Sequence, residues 1–131
     1  MITVVFCVHR LPGLSVDAFR RYWWEQHGPL VKARAGVLRI ARYVQMPRLD
    51  APGLDSVATA RGAPEAYDGV AQVSWQNLTE LQATFGDPAA RTAARELLED
   101  ERRFIDLPHS PIFFTEEKVV VEQDGRQIKH G

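Results

Sequence analysis

The sequence predicts an α+β fold, a four-stranded antiparallel sheet with helices on one face, in the order strand, helix, strand, strand, helix, strand. Three observations predict it. Short β-branched or apolar runs, bounded by turn residues, occur at residues 2–9, 37–46, 69–75 and 111–121. After the first run, Phe19, Tyr22, Trp23, His27 and Leu30 recur at three- and four-residue spacing, the mark of one helix face. Between the third and fourth runs lies a longer helical tract with Ala90, Ala94, Leu97, Leu98, Phe104 and Ile105 on its apolar stripe.

The elements follow in order. Residues 2–9 are apolar on both faces and end at the Leu11-Pro12-Gly13 break. Ser15 caps a helix that begins at Val16. Gly28-Pro29 is expected to stop that helix just after His27, with a short second helical turn running to about Arg34. The run 37–46 sets Leu38, Ile40, Arg42 and Val44 against Arg39, Ala41, Tyr43 and Gln45, so both faces mix polar and apolar groups. Residues 47–68 are rich in Pro, Gly, Ala and Asp and read as one long loop, a length associated with function or mobility. Strand three places Ala71, Val73 and Trp75 on one face. Asn77 caps a helix carrying Leu78, Leu81 and Phe85, which Gly86 ends; Asp87-Pro88 opens the next. The fourth run, 111–121, is expected to bend at Glu116-Glu117. This is the ferredoxin-like βαββαβ arrangement. One domain is expected over residues 1–121, followed by a polar, fraying tail at 122–131.

Composition narrows the function. A chain of 131 residues is one domain and buries enough surface to need no disulfide or metal. It is 45% hydrophobic and 25% charged, which excludes whole-chain disorder. Sixteen basic against seventeen acidic residues leave a net charge of -1, so neither nucleic acid nor an anionic membrane is an expected partner. No apolar run approaches the roughly 20 residues of a membrane span. The single Cys7 and the absence of a basic leader before the apolar Ile2–Phe6 stretch lead to a cytoplasmic expectation.

Helices on one sheet face should leave a polar second face. Strand one instead carries Val5 and Cys7 as well as Val4 and Phe6. A second copy of the chain is the simplest cover, so a homodimer with two facing sheets is expected.

The segment from Phe19 to Leu30, containing Tyr22-Trp23-Trp24-Glu25-Gln26-His27-Gly28-Pro29, resembles the helix signature of the EthD family, within the dimeric α+β barrel superfamily. Tyr67-Asp68-Gly69-Val70-Ala71 and Asp100-Glu101-Arg102-Arg103-Phe104-Ile105-Asp106 resemble family patterns too, and the match spans about residues 2–120. The resemblance implies a dimeric barrel with a ligand pocket between each sheet and its helices. The family is named for a protein needed for ether breakdown. Proteins similar to it include a methylmuconolactone isomerase and fungal members of aromatic polyketide pathways. More distant barrels cyclise polyketides, oxidise quinol-like aromatics without a cofactor, or bind haem. His9 stands where the resemblance implies Lys or Arg, so no role for it is inherited.

His27 is the leading candidate for chemistry, since imidazole takes and returns protons near neutrality; a structural histidine that bonds the Gly28-Pro29 turn is the alternative. The helix end there favours its protonated form and burial opposes it. Tyr22, one turn earlier, offers a hydroxyl to polarise a carbonyl, with Arg42 as a second candidate. Phe19, Trp23 and Phe104 form an aromatic wall; core packing is the alternative for each. Trp24 points off the stripe, towards an edge or dimer contact. Tyr43 and Arg42 project to opposite faces of strand two; one of them entering the pocket, where Arg42 would hold a carboxylate or enolate, is one reading, and a surface pair is the other. Glu101 falls on the apolar stripe, where a carboxylate must find a partner, take up a proton or reach water past the helix rim. Asp68 and Asp106 are expected to cap backbone groups, and His9 and His109 to sit near a pocket mouth. His9, His27, His109 and His130 lack metal-ligand spacing, and there is no phosphate loop or nucleophile elbow. No metal and no cofactor are expected.

These features lead to a homodimer that binds a small, mostly apolar, oxygen-bearing metabolite (aromatic, lactone or polyketide-like). It is read as a cofactor-independent isomerase or lyase, covering isomerisation, cyclisation, dehydration or decarboxylation by proton transfer. A non-catalytic ligand-binding or accessory protein of a catabolic pathway is the alternative, and a cofactor-free oxygenase a third reading.

Overall fold

A computed structural model describes residues 1–123. The expected polar tail therefore lies almost wholly outside the described residues. Strand β1 (Ile2–Val8) leads to α1 (Val16–Tyr22), a π-helical turn (Trp23–His27) and α2 (Gly28–Arg34). Strand β2 (Arg42–Pro47), the short α3 (Asp55–Thr59) and β3 (Gly69–Trp75) follow. Helices α4 (Leu78–Phe85) and α5 (Pro88–Glu101), a 3-10 turn (Leu107–His109) and β4 (Ile112–Glu116) complete the chain. The strands run antiparallel in the order β2-β3-β1-β4, the order of a ferredoxin-like sheet.

Local chemistry explains most boundaries. The Ser15 side chain accepts from the Ala18 N–H, that of Asn77 from Glu80 and that of Asp87 from Ala89, each at the head of its helix. Gly28-Pro29 does not stop the first helix, contrary to the sequence expectation. Gly28 keeps helical angles (φ -54, ψ -51), and its N–H donates to the Trp23 carbonyl five residues back. Pro29 has no N–H for the next helical bond and its ring crowds the preceding turn. The wider π turn absorbs both problems, and the helix continues to Arg34.

Strand two is shorter than expected. Residues 35–39 form a turn with Arg39 in the left-handed region (φ 57), and pairing starts only at Arg42. Leu38 and Ile40 alternate like strand residues, but they pack beside Ala90 and Ala93 of α5, and the Trp75 indole donates to the Leu38 carbonyl at 2.8 Å. Strand four ends at Glu116, opposite Ile2, where its partner β1 begins. The 47–68 stretch is a long connection interrupted by α3, whose side chains are all exposed.

Between sheet and helices, Phe6, Val8, Phe19, Trp23, Phe104 and Ile105 form the main core. Gly69 makes room for it: a Cβ there meets the Trp23 ring and the Met46 carbonyl at 2.8 Å. On the open face, β1 presents Thr3, Val5 and Cys7, and Thr3 and Ser74 share a hydrogen bond of 2.8 Å. That face is mixed rather than wholly apolar. Edge strand β4 shows Ile112, Phe113 and Phe114, each more than half exposed, on its two sides.

Candidate functional site

A cavity of about 280 Å³ lies between the sheet and the helices. Its walls are apolar, with Phe6, Val73 and Trp75 from the sheet and Trp23 and Leu97 from the helices. Ile112 and Phe114 of exposed β4 form one side. Three ionisable groups enter this lining: His27, Glu101 and Tyr43.

The His27 imidazole is buried, with 4% of the residue exposed. Its Nδ1–H donates to Asp100 Oδ2 at 2.8 Å. The other carboxylate oxygen, Oδ1, accepts from the Tyr22 hydroxyl at 2.6 Å and from Arg103 at 3.0 Å. Burial pushes the Asp100 carboxyl upward, but these three hydrogen bonds outweigh it and hold the group below its ordinary value. Asp100 is therefore a carboxylate near neutrality. Burial lowers the His27 pKa against the pull of Asp100, so the imidazole is neutral there. With Nδ1–H committed to Asp100, the neutral ring keeps its lone pair on Nε2.

Nε2 has no hydrogen-bond partner among the described residues. The nearest acidic atom, Glu101 Oε2, is 4.0 Å away, too far for a hydrogen bond. Burial in the apolar lining, with the Asp100 charge adjacent, raises the Glu101 pKa to about 7. Glu101 thus exists in both protonation states at neutral pH. Tyr43, whose pKa burial raises, accepts a hydrogen bond from Gln45 at 2.9 Å; Gln45 also donates to the Trp23 carbonyl in the π turn at 2.8 Å. That turn is thereby tied to the sheet.

The structure sorts the sequence candidates. His27, Glu101, Trp23 and Tyr43 line the cavity together. Tyr22 does not: its hydroxyl faces Asp100, on the far side of the imidazole, so it positions rather than touches a ligand. Phe19 and Phe104 are fully buried core residues behind the wall, in ring contact with each other at 5.7 Å. Arg42 is exposed and lines an outer groove with Trp24, which Tyr43 also borders, and it does not enter the cavity lining. The helix end expected at His27 is absent because α2 continues, so its dipole does not favour imidazolium.

His9 stacks on Tyr67 at 4.5 Å and shares a shallow surface depression with Asp68, Asp106 and His109, away from the cavity. Asp68 accepts from the Arg10 N–H, and Asp106 pairs with His109. Among the described residues no cluster of His, Cys, Asp or Glu has metal-site geometry.

Asp100 is the residue that sequence reasoning missed. Glu101, its neighbour, drew attention as the carboxylate on the apolar stripe. Ala94, Leu97, Leu98 and Glu101 line the cavity, while the fully buried positions of α5 are Ala90, Ala93 and Asp100, with half-buried Leu97 between them, leading on to Phe104 at the same three- and four-residue steps. Reading Ala93 rather than Ala94 into that stripe brings out Asp100 as its acid.

Comparison with known proteins agrees with this architecture. The family model for the EthD domain matches residues 11–108. An EthD-like protein from Ralstonia eutropha JMP134 aligns at 25% identity with a TM-score of 0.60, covering 95% of this chain and 96% of that one. An ethyl tert-butyl ether D family protein from Bacillus halodurans C-125 aligns at 12% identity and TM-score 0.58, covering 90% of this chain and 100% of that one. A dimeric protein of unknown function and ferredoxin-like fold from Bacteroides fragilis NCTC 9343 aligns at 9% identity and TM-score 0.54, over 88% of this chain and 95% of that one. No curated protein matches the sequence.

Proposed function

The chain belongs to the EthD family, and from that premise we propose that it is a cofactor-independent proton-transfer enzyme acting on a small, mostly apolar, oxygen-bearing metabolite. One observation carries the reading. A buried imidazole, oriented by the Asp100 carboxylate, presents an unpartnered Nε2 beside the Glu101 carboxyl in an apolar chamber. General bases are built this way, with the base held by a third group.

The chemistry follows from the two protonation states. His27 Nε2 takes a proton from a carbon next to a substrate carbonyl. The electron pair of that C–H bond becomes a C=C bond as the C=O π pair moves to the oxygen, which receives the proton of neutral Glu101. Asp100 stabilises the imidazolium so formed. Where the substrate carries a β,γ C=C bond the enol is a conjugated dienol; the imidazolium then returns its proton to the γ carbon, the double bond moves to the α,β position as the carbonyl reforms, and the enol O–H returns its proton to Glu101. The net result is an isomerisation with both groups restored. Cyclisation and dehydration begin with the same kind of proton transfer. Trp23 shapes the wall against which a ring would lie, and Tyr22 positions Asp100.

The nearly uniform apolar lining also suits a ligand-binding accessory protein, the second reading. Hydrogen–deuterium exchange separates the two. A panel of small cyclic ketones and lactones in D₂O is followed by NMR for exchange beside the carbonyl. The enzyme reading expects wild-type protein to accelerate exchange, and His27→Gln and Asp100→Asn to slow it by roughly 10²–10⁴-fold. A His27→Gln rate equal to wild type overturns it.

The active form is read as a homodimer. The exposed rings of β4 and the apolar groups on the open sheet face support this, and so does the dimeric protein of like fold. Size-exclusion chromatography with light scattering gives the mass; a stable monomer at micromolar concentration counts against it.

A further inference from the structure

We infer that the cavity selects by charge: it takes a compact, uncharged carbonyl-bearing ring compound and rejects the corresponding carboxylate, with Glu101 as the discriminating group. The inference rests on the reading of this cavity as the reaction site, and it names the class of substrate.

Size sets the first bound. About 280 Å³ is at the small end of ligand cavities and suits one ring or two fused rings. Charge sets the second. Among the described residues no Lys or Arg lines the cavity. Strands β1, β3 and β4 contribute only uncharged side chains to it, Phe6, Val73 and Phe114 among them. Strand β2 contributes the Tyr43 phenol, the π turn contributes His27, and α5 contributes Glu101. Asp100 lies directly behind the imidazole.

Three neighbouring cations are engaged elsewhere or turned away. Arg103 meets Asp100 from outside, with 67% of its side chain exposed, and Arg34 is paired to Glu96. Arg42 faces the outer groove. Protonated His27 is the one cation the cavity can generate, and its partner Asp100 already balances that charge. An entering carboxylate therefore loses its water, meets an acidic group and finds no free cation, which is the costly way to bury an anion. An uncharged ketone of the same shape avoids that cost, and its oxygen can accept from protonated Glu101.

The test uses the full chain with acetophenone and benzoate, near-isosteric probes that differ in charge. At pH 8, where Glu101 is mostly ionised, NMR titration follows the indole N–H signals of Trp23 and Trp75, which line the cavity. Intermolecular contacts to Val73 methyl groups locate the probe. Acetophenone is expected to bind at least about tenfold more tightly than benzoate. In Glu101→Gln the ratio of the two affinities should fall by a similar factor. Equal binding of the two probes to wild type, or an unchanged ratio in Glu101→Gln, overturns the inference. If charge selection is absent while His27-dependent exchange persists, the inference falls alone. If neither probe binds up to its solubility limit, the cavity reading falls with it.

Discussion

Glu101→Gln tests the half-buried carboxyl directly through stability. A folded-state pKa of about 7 in place of 4.5 means that the folded chain holds this proton more tightly than the unfolded chain. Below pH 4.5 both states are protonated and no penalty exists. Between 4.5 and 7 the unfolded chain ionises first, so stability falls as pH rises; above 7 the loss is complete. At 1.36 kcal/mol per pH unit, the interval comes to about 3 kcal/mol. Gln keeps the shape and cannot ionise, so the variant should gain about 3 kcal/mol relative to wild type between pH 4 and pH 8. Asp100 works in the opposite direction. Its lowered pKa adds stability that is present above the ordinary Asp value and lost as pH falls through the folded one, but it does so in both proteins and cancels. Urea unfolding followed by tryptophan fluorescence, at fixed protein concentration across that range, gives the difference. A difference that stays flat with pH would refute a half-buried Glu101 carboxyl whose ionisation the fold opposes.

Three further expectations follow from particular contacts. Gly69→Ala drives a methyl group into the Trp23 ring and the Met46 carbonyl, so it should destabilise by about 1–3 kcal/mol in urea unfolding. Tyr22→Phe removes one hydrogen bond to Asp100 and should cost about 1 kcal/mol, while lowering the exchange rate far less than Asp100→Asn does; an equal loss of rate would place the Tyr22 hydroxyl in the chemistry itself. The exchange rate should be bell-shaped with pH. It should rise as His27 loses its proton, below 6.5, and fall as Glu101 ionises near 7, the two apparent values belonging to the pair. Glu101→Gln should remove the alkaline limb.

Much of this was legible in residue order alone. Ser15, Asn77 and Asp87 marked their helix starts because a short acceptor side chain before an apolar stripe has one favoured use. Strand three was read at residues 69–75 and is found there, because β-branched alternation and its flanking residues agreed. The sequence also pointed to His27 and Glu101, since ionisable groups on an apolar helix face have few places to go. It misplaced the helix end, because Gly28-Pro29 ordinarily terminates and the compensating π turn depends on Gln45, a residue from a distant strand. It lengthened strand two because Leu38 and Ile40 alternate as strand residues do, although their burial comes from α5.

The sequence by itself determined the order of the elements, the aromatic helix face and the residue types available for chemistry, because those depend on propensities and periodicities within a few neighbours. The tertiary structure alone decided which acid meets His27. Asp100 and Glu101 are adjacent, and a rotation of about 100° along one helix separates a carboxylate held by three donors from one stranded among apolar side chains. Opposite protonation behaviour in neighbouring residues comes from what packs against each, across more than 70 positions of chain.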